Sequence, residues 1–178
     1  MPANTVRAAT VLDAPALAAI HRACWLDLVG ADIPGLAEAL EGRQAVVTWR
    51  NAVILAQGEG PYAMFAAVGE ADGVAGFAAL GPLLDQDGGA RAAELVALWV
   101  APQHQRAGHG SRLLAAVADA LRAPSAPFDR LSHWALRQDV HRHRFLRGAG
   151  FGPDGAERTW RAPTGELMDE QRWSALLT

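Results

Sequence analysis

Apolar residues recur along this chain in two spacings, and the points where one gives way to the other mark out its elements. Thr5 to Ala9 alternates as a short strand. Asp13 then offers a helix cap with Pro15 in the first turn, where its missing N–H costs little, and Leu17, Ile20, Cys24 and Leu28 follow at three and four residues as one helical stripe. Gly30, Pro34 and Gly35 interrupt that helix, and Leu36 to Leu40 is a second short apolar piece before Gly42, so a broken helix pair is expected. Ala45 to Ala56 fits a further helix, although Val46, Val47, Val53 and Ile54 make a strand a rival reading. Tyr62 to Val68 and Val74 to Leu80, parted by a short Gly-containing loop, read as an antiparallel hairpin. Leu83 to Ala92, with Asp85, Asp87, Gly88 and Gly89, reads as a polar connection.

The stretch from Glu94 onward is the most informative. Leu95 to Val100 is an unbroken apolar run, too short for a buried helix and stopped by Pro102, which predicts a strand covered on both faces. From Ser111 to near Arg122 the period changes to that of an amphipathic helix carried by Leu113, Leu114, Val117, Ala118 and Leu121. Between them, Gln105, Arg106, Ala107, Gly108, His109 and Gly110 form a turn whose glycines allow close approach to the main chain. The unpaired first N–H groups of the helix and its dipole lie at the same place, so a pyrophosphate suits it. Pro124 to Pro127 blocks the helix, Leu131 to Leu136 supplies the next strand, and Asp139 caps a helix through Arg147 that Gly148 and Gly150 close. Helices and strands in this order predict an α/β sandwich.

Half of the 178 residues are apolar, which suits one domain over residues 1–178 with a core that needs no metal or disulfide. A net charge of -3 and a pI near 6.0 give no global field for nucleic acid or an anionic membrane. Cys24 is alone and sits in an apolar stripe, where an inert buried thiol is the expectation. Every one of the 16 basic residues is arginine. With no apolar signal core and no stretch of about 20 apolar residues, the expectation is a soluble cytoplasmic protein, a monomer or a homodimer, that binds neither nucleic acid nor membrane. Trp25 and Trp49 are expected in the core, with the wall of a substrate pocket as the rival reading for one of them. His141 and His143, two apart on one helix and beside Arg142, Arg144 and Arg147, point to different faces and do not suit a metal. Those arginines form a local positive surface, read as a solvated helix face with contact to a ligand phosphate as the rival reading.

The spacing Gln105-x-x-Gly108-x-Gly110 lacks the Gly-Lys-Ser/Thr ending of a P-loop and the third glycine of a dinucleotide fingerprint. It resembles the acyl-CoA pyrophosphate loop of the GNAT acyltransferase superfamily. Glu94, eleven residues before Gln105, stands where several of those enzymes carry a general base, and Phe145-Leu-Arg-Gly-Ala-Gly-Phe151 resembles their carboxy-terminal signature. The resemblance implies a GNAT-like fold: a mixed, mostly antiparallel central sheet flanked by helices, with acyl-CoA in a splay between the central strand and the next, and a closing hairpin of Glu157 to Arg161 with Leu167 to Leu177. It further implies that acetyl-CoA is the co-substrate, that main-chain groups around Leu98, Trp99 and Val100 pair with the pantetheine, and that Gln105, Arg106, Ala107, Gly108, His109, Gly110 and Ser111 hold the pyrophosphate. Asp139 falls where an asparagine beside the cofactor is common, and Leu146 where a tyrosine donor to the leaving thiolate is common. The expected reaction is direct transfer of an acetyl group to a primary amine of a small molecule or peptide, with Glu94 as base. The alternative is an acyl-CoA-binding sensor or partner protein without turnover.

Overall fold

The computed structural model describes residues 5–30, 32–58, 61–69, 73–83, 91–123 and 128–177. The elements are β1 (Thr5–Ala8), α1 (Ala14–Val29), α2 (Leu36–Ala39), α3 (Arg43–Ala56), β2 (Ala63–Val68), β3 (Val74–Pro82), β4 (Ala92–Val100), α4 (His109–Leu121), β5 (Arg130–Leu136), α5 (Val140–Gly148), β6 (Gly152–Arg161) and β7 (Leu167–Leu176). The strands form one seven-stranded sheet in the order β1-β2-β3-β4-β5-β7-β6. Every neighbouring pair is antiparallel except β4 with β5.

The alternation of each strand divides the core between two faces. Ala78, Leu80, Ala93, Leu95, Leu131 and Ala135 turn to the face covered by Leu113, Val117 and Leu121 of α4 and Leu146 of α5. Ala66, Phe77, Ala79 and Ala97 turn to the other face, where Leu17, Ile20 and Cys24 of α1 and Val53 of α3 pack. Beside that second face, Trp25, Val29, Ile33 and Leu36 close on Leu136 and Ala162.

The expected mostly antiparallel sheet flanked by helices is what forms. Residues 43–56 are helical, because β1 already pairs with the free edge of β2 and leaves that segment no strand partner. The last segment, despite the helix formers in Leu167 to Trp173, is a strand that fills the slot between β5 and β6 with seven register pairs to β5. The central strand begins at Ala92 rather than Leu95, and α4 begins at His109 rather than Ser111. The loop read over Leu83 to Ala92 and the break at Pro124 to Pro127 fall largely outside the described residues.

Asp13 precedes α1 as expected, but its carboxylate does not cap that helix. It accepts two bonds from Arg7, at 2.7 and 2.8 Å, and others from the backbone N–H and hydroxyl of Thr10, tying β1 to the helical layer. The Arg7 guanidinium, with Thr10, holds the Asp13 carboxyl down from 3.8 to about 2. A depressed carboxylate stabilises the fold above its unfolded value, and that contribution drains as pH falls through 4 toward 2. Arg7 is partly exposed and screened. Asp13→Asn is therefore expected to cost about 1–2 kcal/mol at pH 7, with most of that difference from the native protein gone near pH 2, as urea unfolding at the two pH values will read.

Candidate active site

The site begins where β4 and β5 part. The two strands pair in parallel only at Ala92–Arg130, Ala93–Leu131 and Glu94–Ser132, although β4 runs on to Val100 and β5 to Leu136. A β-bulge at Val96 lies between the pairs Ala79–Ala97 and Leu80–Leu95. A bulge puts two successive side chains on one face, so Val96 and Ala97 both lie toward α1 and α3, and Leu98 returns to the α4 side. Past Glu94, the carbonyls of β4 that face β5 meet side chains instead of a strand. His133 Nδ1 donates to Leu95 O at 2.6 Å, Arg142 Nη1 to Leu98 O at 2.5 Å, and Cys24 Sγ and Gln105 Nε2 to Val100 O at 3.2 and 3.3 Å.

A cleft of about 770 Å³ runs along this edge, walled by α1, β4, the start of α4 and the start of α5. At one end lies the glycine turn. Arg106 has φ 64 and Gly108 φ 80, left-handed positions that swing the main chain about the start of α4. Such a conformation is costly for arginine, by about 1 kcal/mol, and is kept where the surroundings enforce it. The first helical bond of α4 runs from Arg112 N–H to Gly108 O, so the N–H groups of His109, Gly110 and Ser111 precede the hydrogen-bonded ladder. Arg112 braces the turn from beneath, donating to Ala107 O at 3.0 Å and meeting His109 Nδ1 at 3.2 Å. The His109 ring is buried, and burial beside Arg112 and His104 lowers its pKa, so it presents a neutral ring to the interior. A Cβ added to Gly110 would stand 3.5 Å from Phe145, at the cleft wall. An anion fits this cradle, with first-turn amides ahead of the helical ladder and a helix dipole at the same place.

Of the cofactor contacts expected from sequence, Leu98, Trp99, Val100, Gln105, Arg106, Gly108, His109, Gly110, Ser111 and Asp139 line the cleft. Ala107 does not; its carbonyl is turned to Arg112. Asp139 caps α5 by accepting from Arg142 N–H at 2.8 Å, and its carboxylate lies 3.7 Å from Arg142 Nε.

Arg142 corrects the expectation of a solvated basic face. Its side chain is 15% exposed, and the guanidinium packs over the Trp99 ring at 4.9 Å. Leu98 O, Asp139 and Trp99 together explain why an arginine is held there; in sequence it is one of three arginines on a short helix. Cys24, expected to be only a core thiol, borders the cleft too, and burial pushes its pKa up to about 11, so it stays protonated at neutral pH. Trp99 belongs to a cluster in which Trp25 Nε1 donates to His21 Nε2 at 2.9 Å. Burial holds His21 down to about 4, hence neutral and accepting. His133, which the sequence did not flag, is buried in the wedge between the strands and likewise pushed down to about 3.

Glu94 is the third residue of β4 and lies outside the cleft lining, four residues or roughly 13 Å of strand from Leu98. Ala93 and Leu95 face α4, so Glu94 faces the α1 and α3 side, in register with Gly81 and Ser132. A Cβ on Gly81 would come within 3.1 Å of the Tyr62 ring and 3.7 Å of Val96 Cγ2. The only tyrosine of the chain thus lies over the strand partner of Glu94, beside Val96, and not in the cleft. Leu146 is buried against α4 and the sheet. His141 borders the cleft, whereas His143 stacks on Trp173 at 5.1 Å; among the described residues, no three His, Cys, Asp or Glu side chains gather as metal ligands. Nor is any described helix long and apolar enough to cross a membrane.

A mixed sheet that parts after one short parallel pairing, beside a glycine turn at a helix start, is an architecture that solved acetyltransferases share. The family model described as "Acetyltransferase (GNAT) family" matches residues 18–151, and the chain belongs to that family. Its fold is shared with several solved structures. The ribosomal-protein-alanine N-acetyltransferase of Brucella melitensis is 23% identical with a TM-score of 0.72, covering 97% of this chain and 99% of that one. The putative acetyltransferase yncA of Salmonella typhimurium, solved with acetyl-CoA, is 20% identical with a TM-score of 0.71, covering 98% and 94%. The PaiA N-acetyltransferase of Thermoplasma acidophilum, solved with coenzyme A, is 14% identical with a TM-score of 0.70, covering 96% and 97%. No curated protein sequence matches the chain.

Proposed function

We propose that this protein transfers an acetyl group from acetyl-CoA to a primary amine of a small molecule or peptide, by direct attack in a ternary complex. The observation that carries the reading is the continuity of the cleft from an anion cradle at Gly108 to Ser111 to the parted edge of β4. CoA bound there supplies the activated acyl group as a thioester. The first-turn amides of α4 hold its pyrophosphate, and the main chain of Leu98 to Val100 pairs with the pantetheine amides as an added strand would. Extended along β4 toward Glu94, the arm carries the thioester toward the face that α1 and α3 border. Attack needs a neutral amine, and Glu94, directly or through one water, takes the proton that an ammonium must lose. Since one of the similar folds is named for a ribosomal-protein alanine, a peptide α-amine belongs among the candidate acceptors. The protein acts in the cytoplasm, as one domain.

A binding protein without turnover is the second reading, favoured by the burial of Leu146 where a hydroxyl donor would stand. Incubation with acetyl-CoA and a panel of polyamines, aminoglycosides, amino acids and peptides separates the two. Release of CoA thiol matched by acetylated amine supports transfer; tight acetyl-CoA binding with no thiol release from any amine overturns it.

A further inference from the structure

Transfer from acetyl-CoA, the reading on which this proposal rests, leaves one step without a residue. The amine lone pair forms the C–N bond, the C–S bond breaks, and its electron pair leaves on sulfur. The ammonium proton goes to Glu94 or water, and the sulfur departs as a thiolate. Leu146 carries no proton and is buried away from the cleft. Tyr62 is not among the residues that line the cleft; it lies over Gly81, the strand partner of Glu94. Cys24, with its raised pKa, is a weaker acid than the thiol it would have to protonate. The Arg142 guanidinium, by contrast, is enclosed and aimed at the β4 edge past which the pantetheine would run.

We propose that Arg142 is a catalytic residue whose guanidinium stabilises the departing CoA thiolate as a fixed positive charge, in place of a proton donor. Its geometry suits the task. Of its five N–H donors, one goes to Leu98 O and the Nε edge turns to Asp139, leaving others for a further acceptor. Packing on Trp99 fixes the plane of the group, and a charge whose side chain is largely buried acts more strongly than one in solution. The ionisable groups around it are Asp139 from its own helix, Cys24 from α1, His133 from β5 and, at the cleft border, Asp27. Cys24 and His133 are neutral at pH 7. Asp139 divides its charge between Arg142 and the first turn of α5. The Arg142 N–H groups not turned to Leu98 O or Asp139 therefore remain for an anion that enters beside Leu98.

The test needs no knowledge of the acceptor. Ultraviolet thiolate absorbance, with desulfo-CoA as the reference that subtracts Cys24, titrates the thiol of CoA bound to the protein. In the native protein the bound thiol is expected about one pH unit or more below that of free CoA. Arg142→Met, titrated at CoA concentrations that saturate it, should abolish that shift, and Arg142→Lys should keep part of it. A bound thiol at or above the free value in the native protein overturns the proposal without any variant, as does an unchanged shift in a folded Arg142→Met protein. Failure of the native protein to bind CoA at all is a different result and removes the underlying reading as well.

Discussion

Glu94→Gln is expected to lower acetyl-transfer turnover by roughly 10²-fold while the affinity for CoA stays within about twofold. The substitution keeps the size of the side chain and removes its negative charge and with it the ability to take a proton. Glu94 lies outside the cleft lining, so nothing about the cofactor should change. It faces the same side of the sheet as Tyr62, Gly81 and Val96, a half-open surface next to the expected thioester end, where an amine would arrive. Without the carboxylate, the surviving route draws on amine that is already neutral in solution. The rate of the variant should then keep rising with pH toward the amine's own pKa, where the native rate has levelled. Steady-state kinetics with an acceptor from the amine panel checks both features. Full activity in the variant would make Glu94 structural, through its pairing with Gly81 and Ser132.

Gly110→Val is expected to weaken CoA binding by roughly 10²-fold or more, through the cradle and not through the fold. A Cβ at this position meets Phe145 at 3.5 and 3.6 Å and Val100 at 3.9 Å, ordinary contacts that an alanine satisfies. The branched methyls of valine extend further, into the space that Gly110, Phe145 and Val100 border, and crowd the approach to the first-turn amides. Gly110→Ala should therefore bind CoA within about tenfold of the native protein, and both variants should unfold at temperatures close to the native one. Calorimetric titration with CoA beside thermal unfolding reads the pair. Undiminished affinity in a folded Gly110→Val protein would move the pyrophosphate elsewhere.

The parts of the site carried by main chain were legible in the sequence. An apolar run ended by a proline, a glycine turn and a new apolar period state local backbone geometry directly, and they led to β4 and to the turn before α4, while the choice of Leu98 to Val100 within that strand came from the GNAT resemblance. Side chains that act across the fold were not. Arg142 lies three residues past a helix cap, within a run of arginines, and only the parting of β4 from β5 turns it inward to Leu98 O. His133 sits in a strand whose alternation reads as core; the missing strand partner of Leu95 O makes it a wedge. The packing of Tyr62 over Gly81 depends on the pairing of β3 with β4 across a bulge, which no local pattern encodes. The last strand was ambiguous for a related reason: its helix formers lose to an open slot in the sheet, a tertiary fact.

Whether the gap between β4 and β5 receives acetyl-CoA decides the rest. A crystal structure of the protein grown with saturating acetyl-CoA reads this without an acceptor or a variant. The expected result is a pantetheine arm beside Leu98 to Val100, a pyrophosphate on the amides of His109 to Ser111, and a sulfur within reach of the Arg142 guanidinium. Acetyl-CoA bound outside this cleft, or β4 and β5 closed on each other with the cofactor absent, would contradict it.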